Sequence, residues 1–240
     1  MPAIRAVIFD LDDTLFPERA FARSGFQAVA KTYPDLFGDP DTTCRELETL
    51  LDTPYRPRIF NEWLSRRGLG EPFDQLVPAI VQTYRTHKPN IELYPDAVAS
   101  LRALRESYRL GLITDGHSPT QWNKIDALFL RPRLDEMIVT SDIGPEFAKP
   151  HTKSFEMMAQ CLAVEPQECA YVADNPMKDF VAPNELEWLT VRIIREDGLY
   201  RDAAAAPGGE PDHIIALLSE LDQALLSASD APTTSFDVVA

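Results

Sequence analysis

Ala6-Val7-Ile8-Phe9 is a run of apolar residues bounded by polar ones, the pattern of a strand buried on both faces of a parallel sheet. Comparable runs recur at Leu110-Gly111-Leu112-Ile113, Met137-Ile138-Val139, Ala170-Tyr171-Val172-Ala173 and residues 189–194. The stretches between them carry apolar residues at helical spacing. Pro95 opens a helix with Val98, Leu101 and Leu104 on one face, closing near Ser107. Residues 121–130 form the next helix, and residues 152–162 another, with Phe155, Met158, Ala159 and Leu162 inward. Residues 214–226 are expected to be a last helix on the core. Strand alternating with helix predicts an α/β fold with a doubly wound parallel sheet.

Residues 18–90 break this alternation. Phe21, Phe26, Val29 and Ala30 recur at helical spacing, then Leu47, Leu50 and Leu51, then Ile59, Trp63 and Leu64, then Leu76, Ile80, Val81 and Tyr84. Pro34, Pro40, Pro54, Pro57, Pro72 and Pro89 punctuate them, as suits short helices in a small inserted domain. The expected organisation is a core of residues 1–17 and 91–226, a helical insertion at 18–90, and a flexible tail at 227–240, where the residues are small, polar and aperiodic.

The polar residues at the strand ends change the picture. The first strand runs into Asp10, Asp12 and Asp13. Open parallel sheets bind ligands beyond the carboxyl ends of their strands. Carboxylates this close raise one another's pKa unless a cation intervenes, and Mg²⁺ is the simplest hard, oxygen-seeking candidate. A strand ending in a solvated acidic turn is the alternative. The second strand ends in Thr114-Asp115-Gly116, the loop after the third carries Lys149, and the fourth delivers Asp174-Asn175-Pro176-Met177-Lys178-Asp179.

Composition narrows the class. The 240 residues, 45% hydrophobic and 25% charged, are those of an ordinary globular protein. A net charge of −15 argues against nucleic acid as a partner, since such binders carry a basic footprint. No stretch is long and apolar enough for a bilayer, so no membrane partner is expected, and the N-terminus lacks the pattern of a signal peptide. Cys44, Cys161 and Cys169 show no CxxC spacing and fit free thiols in a reducing compartment. The expected location is cytoplasmic.

Asp10-x-Asp12-x-Thr14-Leu15 after a hydrophobic strand resembles the first motif of the haloacid dehalogenase (HAD) superfamily, in particular its phosphatases. The later motifs follow in order at separate strand ends. The resemblance implies a Rossmann-like core, and makes the helical insertion a cap. It implies that Asp10 is the nucleophile that becomes an aspartyl-phosphate. Asp12 is then the general acid that protonates the leaving oxygen and afterwards activates water. Thr114 holds a phosphoryl oxygen, and Lys149, in preference to Lys153, offsets negative charge. Asp174 and Asp179 hold Mg²⁺ together with the Asp10 carboxylate and the Asp12 main-chain carbonyl. The activity implied is Mg-dependent hydrolysis of a small phosphorylated metabolite, a phosphate monoester. A phosphomutase acting on a phosphosugar, or a catalytically silent binding protein of this fold, are the alternatives. Relatives that remove halide need no metal and typically have an aromatic residue at the position of Asp12.

Two positions depart from the pattern. Asp115 stands where many relatives carry Asn, and Ala173 where Gly often precedes the first metal acid. Asp readily accepts backbone N–H bonds in loops, so Asp115 is expected to organise its loop and to have a minor effect on the phosphate. Arg56, Arg58, Arg66, Arg67 and Lys88 are candidate contacts for a second anionic group, although solvated surface charge is the commoner role of such residues.

Overall fold

The computed structural model describes residues 3–69 and 74–229, in two compact units. Pro72 and residues 230–240 of the expected tail lie outside the described residues. The first unit comprises Met1–Leu15, Leu93–Gly116 and Arg131–Ala240, and the second Phe16–Glu92 and His117–Leu130.

The first unit is a six-stranded, wholly parallel sheet. Its strands are β1 (Ala6–Phe9), β2 (Arg109–Thr114), β3 (Glu136–Val139), β4 (Cys169–Ala173), β5 (Leu189–Ile193) and β6 (His213–Ile215), in the spatial order β3-β2-β1-β4-β5-β6. The order reverses beside β1, so the chain leaves β2 and β4 on either side of it and creates the crevice where such sheets bind ligands. Phe9 pairs with Leu112 on one side and Val172 on the other. That register brings the ends of β1, β2 and β4 together.

All four residues of β1 are fully buried. Ala6 and Ile8 share one apolar cluster with Ile113, Tyr171, Phe155, Met158 and Trp188, while Val7 and Phe9 point to the opposite face. The helix Lys153–Leu162 lies over β2 and β3. Gly111 in β2 lets it approach, because a Cβ there would stand 2.7 Å from Met158 Sδ.

Three local expectations are corrected. The helix Pro95–Leu104 buries Ala97, Ser100, Leu101 and Leu104, leaving Val98 41% exposed; the apolar stripe starts one residue earlier than the large side chains indicate. Residues 214–226 are not one helix. His213–Ile215 is an edge strand, followed by a 3₁₀ turn at Leu218–Glu220 and the helix Leu221–Ser229. Three β-branched-rich residues at an edge are too few to show a period-two pattern. That helix also takes in residues 227–229 of the expected tail.

The second unit is helical. Its helices include Glu18–Thr32, Pro40–Glu48, Ile59–Arg66, Val77–Thr86 and Ser118–Ala127. Phe26, Phe37, Leu47, Phe60, Trp63 and Ile80 form its core, with Phe37 stacked on Trp63 at 4.6 Å. Leu76 is 40% exposed and takes no part. The helix Ser118–Ala127, which strand–helix alternation assigns to the sheet, groups with this unit. Its buried Lys124 lies 4.4 Å over the Phe21 ring, and Thr120 donates to the Arg85 carbonyl at 3.0 Å. Among the described residues no helix is long and apolar enough to cross a membrane.

Candidate active site

Four adjacent strands of the first unit end in polar side chains. Asp10 follows β1, Thr114 closes β2 with Asp115 next, Thr140 follows β3, and Asp174 follows β4. The Asp10 N–H extends the ladder by donating to the Val172 carbonyl at 2.9 Å, so the position of its side chain is set by the sheet rather than by a mobile loop.

Asp10, Asp174 and Asp179 are all buried, with ligand oxygens within 4.8 Å of one another. Lys149, whose side chain is fully buried, sits among them. Its Nζ donates to Asp10 Oδ1 at 2.8 Å and to the Tyr171 hydroxyl at 2.9 Å. It also lies 2.7 Å from Asp179 Oδ1, an ion pair whose angle falls short of a hydrogen bond. Burial pulls the Lys149 pKa down, but Asp10 and Asp179 outweigh it and hold the ammonium well above its ordinary value. Burial pushes the Asp10 carboxyl up to about 6 despite Lys149. One ammonium therefore does not neutralise the cluster.

That shortfall is the test of fit for a metal. Three buried carboxylates share one fully buried cation, and an oxygen-only donor set of this size suits a hard divalent ion such as Mg²⁺. Asp12 is half-buried and outside the three-acid group. Its charge nonetheless acts on Asp10, and it lies within the turn closed by the Leu15 N–H donating to the Leu11 carbonyl at 3.0 Å. Thr114 is buried at the end of β2, and Lys153 is exposed.

Asp115 is bound on every side within the unit. Its Oδ1 accepts from the Thr140 hydroxyl at 2.7 Å and the Lys149 N–H at 3.1 Å, and its Oδ2 from Lys178 Nζ at 2.6 Å. Burial pushes its carboxyl up, but Lys149, Lys178 and Thr140 outweigh this and hold it down at about 2. One carboxylate thus ties the loops after β2, β3 and β4, as the loop-organising expectation requires. Tyr171 and Lys178 were not anticipated. The signal for Tyr171 was a phenol inside an otherwise apolar strand, whose buried hydroxyl needs a partner. Lys178 adjoins Asp179 in sequence, but nothing in that context sets it apart from a surface lysine.

Of the five cations considered for a second anionic group, three pair within the helical unit. Arg56 pairs with Glu18 at 2.6 Å and Arg66 with Glu62 at 2.7 Å. Arg67 pairs with Glu46 while lying 4.3 Å over the Trp63 ring. Arg58 and Lys88 are exposed.

Comparison with known proteins places the chain in a family. Residues 4–182 match the family model described as haloacid dehalogenase-like hydrolase. A glyceraldehyde 3-phosphate phosphatase of Methanopyrus kandleri is 34% identical over 207 residues, 83% of this chain and 87% of that one. A phosphoserine phosphatase of Thermus thermophilus is 31% identical, over 75% of this chain and 77% of that one. A crystal structure of a HAD-hydrolase from Bacillus subtilis, described as bound to magnesium, shares the fold with a TM-score of 0.71. It is 18% identical, covering 93% of this chain and 99% of that one. With the family model spanning most of its length, the chain belongs to the haloacid dehalogenase-like hydrolases.

Proposed function

We propose that the chain is a Mg²⁺-dependent hydrolase of phosphate monoesters, acting on a small phosphorylated metabolite through an aspartyl-phosphate on Asp10. The observation that carries it is the buried Asp10–Lys149–Asp179 arrangement beside Asp174 at the crevice of the sheet. The relatives, named for glyceraldehyde 3-phosphate and phosphoserine, support the substrate class.

In this reading the Asp10 carboxylate attacks phosphorus, and the bond to the ester oxygen breaks. Asp12 gives its proton to that departing oxygen. Water then yields a proton to Asp12 and attacks the phosphorus of the acyl phosphate, releasing phosphate and restoring Asp10. Thr114 supports a phosphoryl oxygen, and Lys149 holds Asp10 in line and stabilises charge that builds on the phosphoryl group. Asp10, Asp174, Asp179 and the Asp12 carbonyl would hold the metal, which when bound would supply positive charge to offset that of the reacting groups. The helical unit is proposed as the cap, and the cytoplasm as the location. Free cysteines fit that compartment: burial pushes the thiols of Cys44 and Cys169 up to about 11 and 12, leaving both unreactive.

The test is turnover of an aryl phosphate, glyceraldehyde 3-phosphate and phosphoserine, with and without Mg²⁺. Release of inorganic phosphate that requires the metal is expected. Transfer of phosphate within a sugar without release, or no turnover of any monoester, overturns the reading.

A further inference from the structure

The turn after Asp12 is held from outside by residues that the proposed chemistry does not use. Asp13 adopts a left-handed backbone, φ 50°, a conformation that costs an L-residue energy although Asp tolerates it better than most. Its carboxylate accepts the Leu199 N–H at 2.9 Å. Thr14, two residues beyond Asp12, has its carbonyl bound by Arg195 Nη2 at 2.9 Å. The next carbonyl, of Leu15, accepts the Tyr94 N–H at 2.9 Å.

Arg195 is the keystone of this frame. It is 5% exposed, and its other terminal nitrogen pairs with Asp96 at 2.7 Å. Asp96 is anchored in turn by the Leu218 N–H at 2.8 Å. The guanidinium lies 4.0 Å over the Tyr94 ring, and the Tyr94 hydroxyl donates to Asp197 at 3.1 Å. Burying a guanidinium is expensive, and here Nε finds no acceptor among the described residues. A residue present only to fill space would be apolar. What the fork achieves is a rigid bridge from Asp96 to the Thr14 carbonyl, with two donors in a fixed plane, which Lys cannot reproduce.

We propose that Arg195, braced by Asp96 and Tyr94, is a positioning residue that fixes the Asp13–Leu15 turn and thereby aims the Asp12 carboxyl at the leaving oxygen. The inference rests on the assignment of Asp12 as general acid. Its signature is a dependence on leaving group. An alkoxide needs the proton of Asp12 to depart, whereas 2,4-dinitrophenolate departs without it.

The experiment compares kcat/KM, which reports steps up to formation of the acyl phosphate, for glyceraldehyde 3-phosphate and 2,4-dinitrophenyl phosphate. For Asp12→Asn the alkyl substrate should lose about a hundredfold or more and the aryl substrate less than about fivefold. Arg195→Ala should show the same split in smaller measure, about tenfold or more against less than about threefold, partly restored by millimolar guanidinium. Arg195→Lys keeps the charge but not the fork, should show the split, and decides the matter if circular dichroism shows the alanine variant unfolded. Equal losses on both substrates in the Arg195 variants, or none, overturn the positioning role while leaving Asp12 as the acid. Absence of the split in Asp12→Asn itself overturns the acid assignment and the inference with it.

Discussion

The ammonium of Lys178 lies 2.6 Å from a carboxylate oxygen of Asp115. An acid beside a phosphate site is a liability: at an effective dielectric near 20, like charges about 6 Å apart repel by roughly 3 kcal/mol before screening. Lys178 cancels that charge, and its own charge also acts on Asp10. The two residues should therefore depend on each other. Asp115→Asn keeps an acceptor for Thr140 and the Lys149 N–H, and should change KM for a phosphomonoester less than about fivefold. Lys178→Gln strands the carboxylate and should raise KM about tenfold. In the double variant KM should return close to that of Asp115→Asn, a tenfold coupling worth about 1.4 kcal/mol. Additive effects in this kinetic cycle would show that the pair does not face the phosphate.

The same carboxylate should appear in acid stability. Its folded pKa, about 2, lies below the ordinary 3.8. A depressed carboxyl stabilises the fold above its unfolded pKa and loses that contribution as pH falls through the folded value. Since a tenfold change in proton affinity is worth about 1.4 kcal/mol, Asp115 should contribute about 2 kcal/mol at pH 6, vanishing as pH falls from about 4 through 2. Urea unfolding of the parent and Asp115→Asn across this range checks the sign. A stability difference that stays constant down to pH 2 would contradict it.

Much of this arrangement was legible in the chain, for a physical reason. A parallel strand buried on both faces has no polar residues until it ends, so Asp10, Thr114 and Asp174 stood out against apolar runs. Asp179 was recognisable through its Asp-x-x-x-x-Asp spacing from Asp174 behind a buried strand, and Lys149 only through its order along the chain. Lys178 and Arg195 were not legible. The partners of Arg195, Thr14 and Asp96, are 181 and 99 residues away in sequence, and no period or spacing connects residues that meet only when separate strands end side by side. The edge strand β6 escaped for the opposite reason, being too short to show a pattern. The helix Ser118–Ala127 was found, but which unit it packs in depends on side chains such as Lys124 that read as surface charge.

Removing one of the proposed metal ligands should separate function from folding. Asp174 is buried beside two other carboxylates, and Asp174→Ala relieves repulsion in the metal-free protein. The variant should remain folded, and its activity should fall to near zero. Calorimetric titration with Mg²⁺ should show binding to the parent and none to the variant. Undiminished turnover in excess chelator would refute the metal requirement.

Tyr171 offers the finest probe of how Lys149 is held. The Lys149 ammonium has three protons and faces three oxygens: Asp10 at 2.8 Å, Asp179 at 2.7 Å and the Tyr171 hydroxyl at 2.9 Å. Tyr171 lies in β4 at full burial, and burial holds its hydroxyl well above its ordinary pKa, so it stays protonated. Tyr171→Phe removes one oxygen without opening a cavity, leaving a buried ammonium one partner short. Leaving a buried donor unsatisfied costs about 1–3 kcal/mol, and urea unfolding should find a loss in that range. Catalysis should suffer less, because the charge and both carboxylate contacts remain: kcat should fall less than about tenfold with KM nearly unchanged. Lys149→Met removes the charge itself and should lower kcat by about a hundredfold or more. If Tyr171→Phe proves as damaging to kcat as Lys149→Met while remaining folded, the hydroxyl acts on the reacting groups directly and is not merely a support for the lysine.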